Sequence, residues 1–228
     1  MKEDENMRIV SWNCNGMFRE KFKNIKNVNA DIYVIQECEN PKKYIESEYS
    51  NFAKNYIWIG EKENKGLGIF AVEQVKIDKN NWKTYCLRNF LSVKVNENFD
   101  LVGVWACDPY IEEYYLYQCI NIENYNSKTV IIGDFNSNSL WDKKHGNRNH
   151  TIVVNELRNI GLVSAYHYVY KENQGCESQK TFYLYRHSDK GYHIDYCFID
   201  RKRLKKFEIL NDSEWLKVSD HLPIIIEI

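Results

Sequence analysis

The stretch Trp215-Leu216-Lys217-Val218-Ser219-Asp220-His221-Leu222-Pro223-Ile224-Ile225-Ile226-Glu227-Ile228 sets a carboxylate and an imidazole side by side before an apolar run. An Asp-His pair at the edge of a strand can hold a metal and touch a phosphate at once. Four polar clusters upstream stand in matching positions. Trp12-Asn13-Cys14-Asn15-Gly16 follows the apolar pair Ile9 and Val10, so amides appear where a buried strand should end. Ile32, Val34 and Ile35 lead into Gln36-Glu37, and Val130-Ile131-Ile132 runs into Gly133-Asp134-Phe135-Asn136. In that third cluster the glycine lets the backbone turn, and the polar side chains at i and i+2 share a face. His193-Ile194-Asp195-Tyr196 opens a strand that continues through Cys197, Phe198 and Ile199.

Strand ends that meet at one edge of a packed sheet gather distant residues into a cleft, where ligands bind. The chain holds 32 Asp and Glu residues, most of which belong on a solvated surface. Glu37, Asp134, Asp195 and Asp220 differ, because each adjoins an apolar run where a charge is costly unless it is paired or bound to a metal. Glu37 and Asp220 offer hard oxygen ligands suited to Mg²⁺ or Mn²⁺, and no soft Cys/His cluster points to zinc.

In their order, the set Asn13, Glu37, Asp134, Asn136, Asp195, Asp220 and His221 resembles the endonuclease/exonuclease/phosphatase superfamily, with its deoxyribonuclease I-like fold. The resemblance runs from about Arg8 to Ile228. It implies an α+β, four-layer α/β sandwich of two packed mixed sheets flanked by helices, and a metal-dependent phosphodiesterase. It implies that Asp134 orients and deprotonates the attacking water, with Asn136 beside it. His221 would donate to a nonbridging phosphate oxygen, Asp195 would fix its tautomer, and Asn13 would bind phosphate or hold Asp134 in place. Asn15 stands where relatives carry Asp or Asn near the metal, which makes it a further ligand, direct or through water. Many relatives place His or Tyr after the strand Leu101-Val102-Gly103-Val104, where this chain reads Trp105. An indole has a donor and no acceptor, so Trp105 either fills the core or lines the pocket.

Expected substrate contacts fall between Asp134 and Asp195. Lys143, Lys144, Arg148 and His150 precede a helix start, where backbone N–H groups also favour anions, and His193 precedes the Asp195 strand. Net charge is −1 and the pI about 6.6, so no global field draws in a nucleic acid. Local patches and some of the 17 tyrosines could still grip one. Nucleic acid is therefore the expected substrate and partner, as for an intracellular nuclease. A small-molecule or lipid phosphate is the alternative, because the same site serves both kinds of relative. A non-catalytic binding module would have lost its carboxylates, and these are present.

At 228 residues the chain can bury a large core as one domain, expected over residues 8–228 after a flexible tail at 1–7. No apolar stretch approaches the length of a membrane span, and the amino terminus lacks the apolar core of a signal peptide. Seven cysteines without a Cys-x-x-Cys pair suit reduced thiols in a cytoplasmic protein. Periodicity predicts helices over Arg19 to about Asn29, from Asp108-Pro109 onward, and over Thr151 to Ile160 with Gly161 as the stop. Strands are expected at 8–12, 31–36, 55–59, 66–71, 90–95, 100–106, 129–133, 180–184, 193–199, 205–210 and 223–228.

Overall fold

Two six-stranded mixed sheets pack face to face in the computed structural model, which describes residues 6–44, 47–187 and 189–228. The strands are β1 (Arg8–Asn13), β2 (Ile32–Cys38), β3 (Tyr56–Lys62), β4 (Lys65–Ala71), β5 (Ile77–Lys79), β6 (Phe90–Val95) and β7 (Phe99–Trp105). They continue with β8 (Thr129–Asp134), β9 (Leu162–Ser164), β10 (Phe182–Tyr183), β11 (Gly191–Tyr192), β12 (Asp195–Asp200), β13 (Lys206–Ile209) and β14 (Ile224–Glu227). The helices are α1 (Phe18–Lys26), α2 (Ser47–Phe52), α3 (Ile111–Asn121), α4 (Asp142–His145), α5 (His150–Asn159), α6 (Ala165–Tyr170) and α7 (Trp215–Val218).

The sheet orders are β13-β14-β1-β2-β4-β3 and β5-β6-β7-β8-β12-β9, so β1 and β2 sit inside one sheet and β7 and β8 inside the other. Those two central pairs are parallel, and their neighbours pair antiparallel. A parallel pair needs a crossover, which α1 supplies for β1–β2 and α3 for β7–β8. Alternation along each strand then sorts the side chains. Ile9, Ile32, Val34, Leu67, Leu101 and Ile132 fill the space between the sheets. Val10, Trp12 and Ile35 face the other way, against Phe18, Phe22 and Ile25 of α1. On the opposite outer face Val102, Val104 and Ile131 meet Tyr114 and Tyr117 of α3 and Val153 and Leu157 of α5. Helix, sheet, sheet, helix is the expected four-layer order.

The expected elements are present with boundaries within a few residues, and the structure adds strands β5, β9 and β11 and helices α2, α4, α6 and α7, which the periodicity did not predict. The expected helix from Asp108-Pro109 begins at Ile111, because Tyr110 ahead of it lies at φ 58°, outside helical backbone. The face of that helix buries Ile111, Tyr114, Tyr117, Gln118 and Asn121, while Tyr115 and Ile122 are only partly buried. The strand expected at 180–184 shrinks to Phe182–Tyr183. Of the expected tail, residues 1–5 lie outside the described residues, and Met7 exchanges backbone hydrogen bonds with Ile228 at 3.1 and 3.0 Å. Among the described residues, no helix is long and apolar enough to cross a membrane.

Candidate active site

The carboxyl ends of the two central parallel pairs meet at one edge of the sandwich. Asn13 pairs with Gln36 at the end of β1 and β2, and Trp105 pairs with Asp134 at the end of β7 and β8. Asp195, the first residue of the antiparallel strand β12, lies opposite Asp134 in register. Ligands in open α/β sheets bind outside such strand ends, and here two sheets supply them. Local backbone aims the side chains. β2 carries a bulge between Gln36 and Cys38, and Glu37 within it adopts φ 63°. A bulge re-aims a side chain, and a left-handed glutamate costs roughly 1–3 kcal/mol that the surroundings must hold. Gly133 lies at φ 153°, and a Cβ there would overlap the Val104 carbonyl oxygen. The glycine lets β7 and β8 close right up to Asp134.

Asp134 is fully buried and is held from three sides. Its Oδ1 accepts the Asn136 backbone N–H at 2.8 Å, and its Oδ2 accepts the side-chain amides of Asn13 and Asn136, each at 3.0 Å. Three of about four lone-pair positions are thereby used, and one is left for a water. Burial pushes the Asp134 carboxyl up to about 7; the His221 charge and the Asn13 amide oppose that rise, and the Asp195 charge adds to it. The Asn13 amide also reaches Glu37 Oε1 at 3.4 Å, while its carbonyl accepts the Asn15 N–H at 3.0 Å. One asparagine thus ties Asp134, Glu37 and the Asn15 turn together.

His221 completes the centre. Its Nδ1 lies 3.0 Å from Asp195 Oδ2, and its Nε2 stands 3.9 Å from Asp134 Oδ2. Burial disfavours the imidazolium, but the Asp195 and Asp134 carboxylates outweigh it and raise His221 to about 10. The ring is charged at neutral pH. Around it, the Ser219 hydroxyl donates to the Asn13 carbonyl at 2.7 Å and accepts the His221 N–H at 3.1 Å. The Trp12 indole donates to the His221 carbonyl at 3.0 Å. Thr181 Oγ1 accepts the N–H groups of Ile194 and Asp195 at 3.0 Å each, and the Phe182 ring packs on His221 at 4.8 Å. Ser219 and Thr181 carry no charge, and only the place of Ser219 beside Asp220 hinted at a supporting role.

One ligand atom each from Asp134, Asp195 and His221 lies within 4.8 Å of the others, so the cluster could hold a metal ion. Its atoms already have partners, His221 with Asp195 and Asp134 with Asn13 and Asn136, whereas Glu37 faces the cleft edge at 17% side-chain exposure. There a cation already sits against it: Lys65 Nζ is 2.8 Å from Glu37 Oε2. A carboxylate bent into a cleft and neutralised by a movable ammonium fits a hard divalent cation, with Asn15 beside it lining the same pocket of about 280 Å³. Asp220 is half-buried, and its charge is felt by both His221 and Lys21.

The outlying expectations fare differently. His150 and His193 are both buried, and burial lowers each to about 4, so both are neutral. His150 binds Gln174 at 3.1 Å, and the His193 ring packs on Tyr166 and donates to the Gln179 carbonyl. Neither is the exposed cation that a phosphate would meet. Arg148 pairs with Glu112 at 3.2 Å, and Lys143 and Lys144 stay exposed on α4. Trp105 is 8% exposed, part of the inter-sheet core, with its ring under Lys65.

No protein-family model matches the chain, and no curated protein sequence matches it. Solved structures do. The 3′-5′ exonuclease NExo from Neisseria meningitidis superposes with a TM-score of 0.70 at 18% identity, over 97% of this chain and 99% of that one. An AP endonuclease from Archaeoglobus fulgidus gives 0.68 at 18% identity, over 96% and 98%. The fold is the deoxyribonuclease I-like one that these structures share. A NExo variant described as a 3′ phosphatase, bound to a product DNA hairpin, gives 0.69 at 18% identity over 97% and 99%. The likeness spans nearly the whole chain, and the strand-end cleft lies where the two sheets meet.

Proposed function

We propose that the chain is a Mg²⁺- or Mn²⁺-dependent phosphodiesterase that hydrolyses nucleic acid. The observation that carries this is the geometry of His221 held between Asp195 and Asp134, with Asn13 joining Asp134 to Glu37. A bound divalent ion at Glu37, Asp220 and Asn15 would supply a Lewis acid for the phosphate. The protein's own residues do the rest. Asp134, poised near neutrality, takes the proton of the attacking water at its remaining lone pair. Asn136 and Asn13 keep that carboxylate from turning. His221 presents Nε2–H to a nonbridging phosphate oxygen as charge builds there, and Asp195, accepting from Nδ1–H, fixes the ring's orientation and favours its charged form.

The fold neighbours that act on DNA support nucleic acid as the substrate class, and NExo and the AP endonuclease illustrate both exo and endo action on one fold. Seven free thiols favour a reducing, cytoplasmic setting. Competition decides between substrate classes: an unlabelled oligonucleotide should suppress cleavage of a labelled one at far lower concentration than an inositol phosphate. Stronger competition by the small phosphate would move the protein to that class.

Glu37→Gln provides a check on the ion. The amide keeps the shape but loses the charge, so apparent metal affinity should fall by at least about 10- to 100-fold, the loss seen for partners one bond further out. Raising Mg²⁺ should restore part of the activity. Activity that is unchanged at limiting Mg²⁺ would remove Glu37 from the ligand set.

A further inference from the structure

Lys65 opens β4 directly after the turn from β3, where Lys62 and Lys65 face each other in register. Nothing in the sequence singles it out, yet its ammonium touches two parts of the site at once. It pairs with Glu37 Oε2 at 2.8 Å and stands 5.5 Å from the centre of the Trp105 ring. Trp105 is the register partner of Asp134, so the lysine lies on the rim beside the reacting carboxylate. Its side chain is 49% exposed, on a flexible four-carbon stem, which leaves it able to move.

We propose that Lys65 is an exchangeable cation of the active site, resting on Glu37 in the absence of metal and moving to the substrate phosphate once the metal takes Glu37. The proposal rests on the metal-dependent function given above. Glu37 has one oxygen toward Asn13 and the other on Lys65, and a divalent ion arriving there meets a like charge on the same carboxylate. The ion displaces the lysine. Indole is the best aromatic seat for an ammonium, so Trp105 keeps Lys65 at the rim instead of releasing it to solvent. A phosphate entering the cleft then finds a cation held a short reach from Asp134. This gives Trp105 a task that needs neither proton transfer nor an acceptor.

Lys65→Met keeps the stem and removes the charge, at a half-exposed site where the fold does not depend on it. Mn²⁺ binding to the free protein, followed by electron paramagnetic resonance, should tighten by about 3- to 10-fold, because the competing cation is gone. KM for a labelled oligonucleotide should rise by about 10-fold, the loss of a charged contact to phosphate. Lys65→Arg should keep the wild-type KM more closely than Lys65→Met does. Both changes in Lys65→Met are required, and either one missing overturns the proposal. If wild type binds Mn²⁺ and cleaves while Lys65→Met behaves identically, only the role of Lys65 fails. If wild type neither binds Mn²⁺ nor cleaves, the metal-dependent function fails and the lysine proposal with it.

Discussion

Asp134→Asn should lower turnover by about 10²- to 10⁴-fold, the usual worth of a positioned base, while substrate still binds. The substitution is isosteric but not silent within the network. Oδ2 accepts two side-chain amides and Oδ1 accepts a backbone N–H, so an asparagine must turn its NH₂ toward one of these donors. The oxygen should face Asn13 and Asn136, because two hydrogen bonds outweigh one. Burial already disfavours the carboxylate, as its rise to about 7 records, so removing the charge spares a desolvation cost and the fold should persist. Circular dichroism and a filter-binding assay on the variant separate loss of chemistry from loss of structure. Turnover equal to wild type would show that Asp134 is not the base.

His221→Asn should lose about 10²-fold or more in kcat, as expected for a donor aimed at developing charge in a buried site. The Asp195–His221–Asp134 line also sets the pH profile. The rate needs Asp134 ionised and His221 protonated. It should therefore rise as pH climbs toward 7 and fall as pH passes through about 10, where the imidazolium loses its proton. A cation bound beside Glu37 moves the acid limb lower, because opposite charge favours the carboxylate. The alkaline limb should vanish in His221→Asn, leaving a flat, low rate at high pH. A wild-type profile that falls near 6.5, the ordinary range of histidine, would mean that the two carboxylates do not hold the charge on the ring.

Much of this centre was legible in sequence because its polar residues interrupt apolar runs at strand ends. Asn13, Glu37, Asp134, Asp195 and His221 stand out for that reason; the parallel pairs β1–β2 and β7–β8 place the first three, antiparallel β12 sets Asp195 opposite Asp134, and His221 meets Asp195 from the segment before β14. The supporting layer was less visible. The bulge that turns Glu37 leaves no composition signature, and Lys65 is one of 31 Lys and Arg residues, distinguished only by a hairpin that returns it to Glu37. His150 and His193 stand at the starts of an expected helix and an expected strand, where a charged ring would meet a phosphate, but both rings pack against Tyr196 and burial disfavours their charge. A histidine's neighbours decide its state, and those neighbours are distant in sequence. Asp108-Pro109 misled for a related reason: a capping residue before proline marks a helix start only when the next residue takes helical backbone, and Tyr110 at φ 58° does not, so the helix waits for Ile111.

Incubating the purified protein with Mg²⁺ or Mn²⁺ and labelled single- and double-stranded DNA, RNA and abasic duplex tests the central claim most directly, with a chelator and Asp134→Asn as controls. Cleavage of at least one nucleic acid is expected, lost with chelator and lost in the variant. Intact substrates throughout, or cleavage that survives both controls, would contradict metal-dependent phosphodiester hydrolysis at this site.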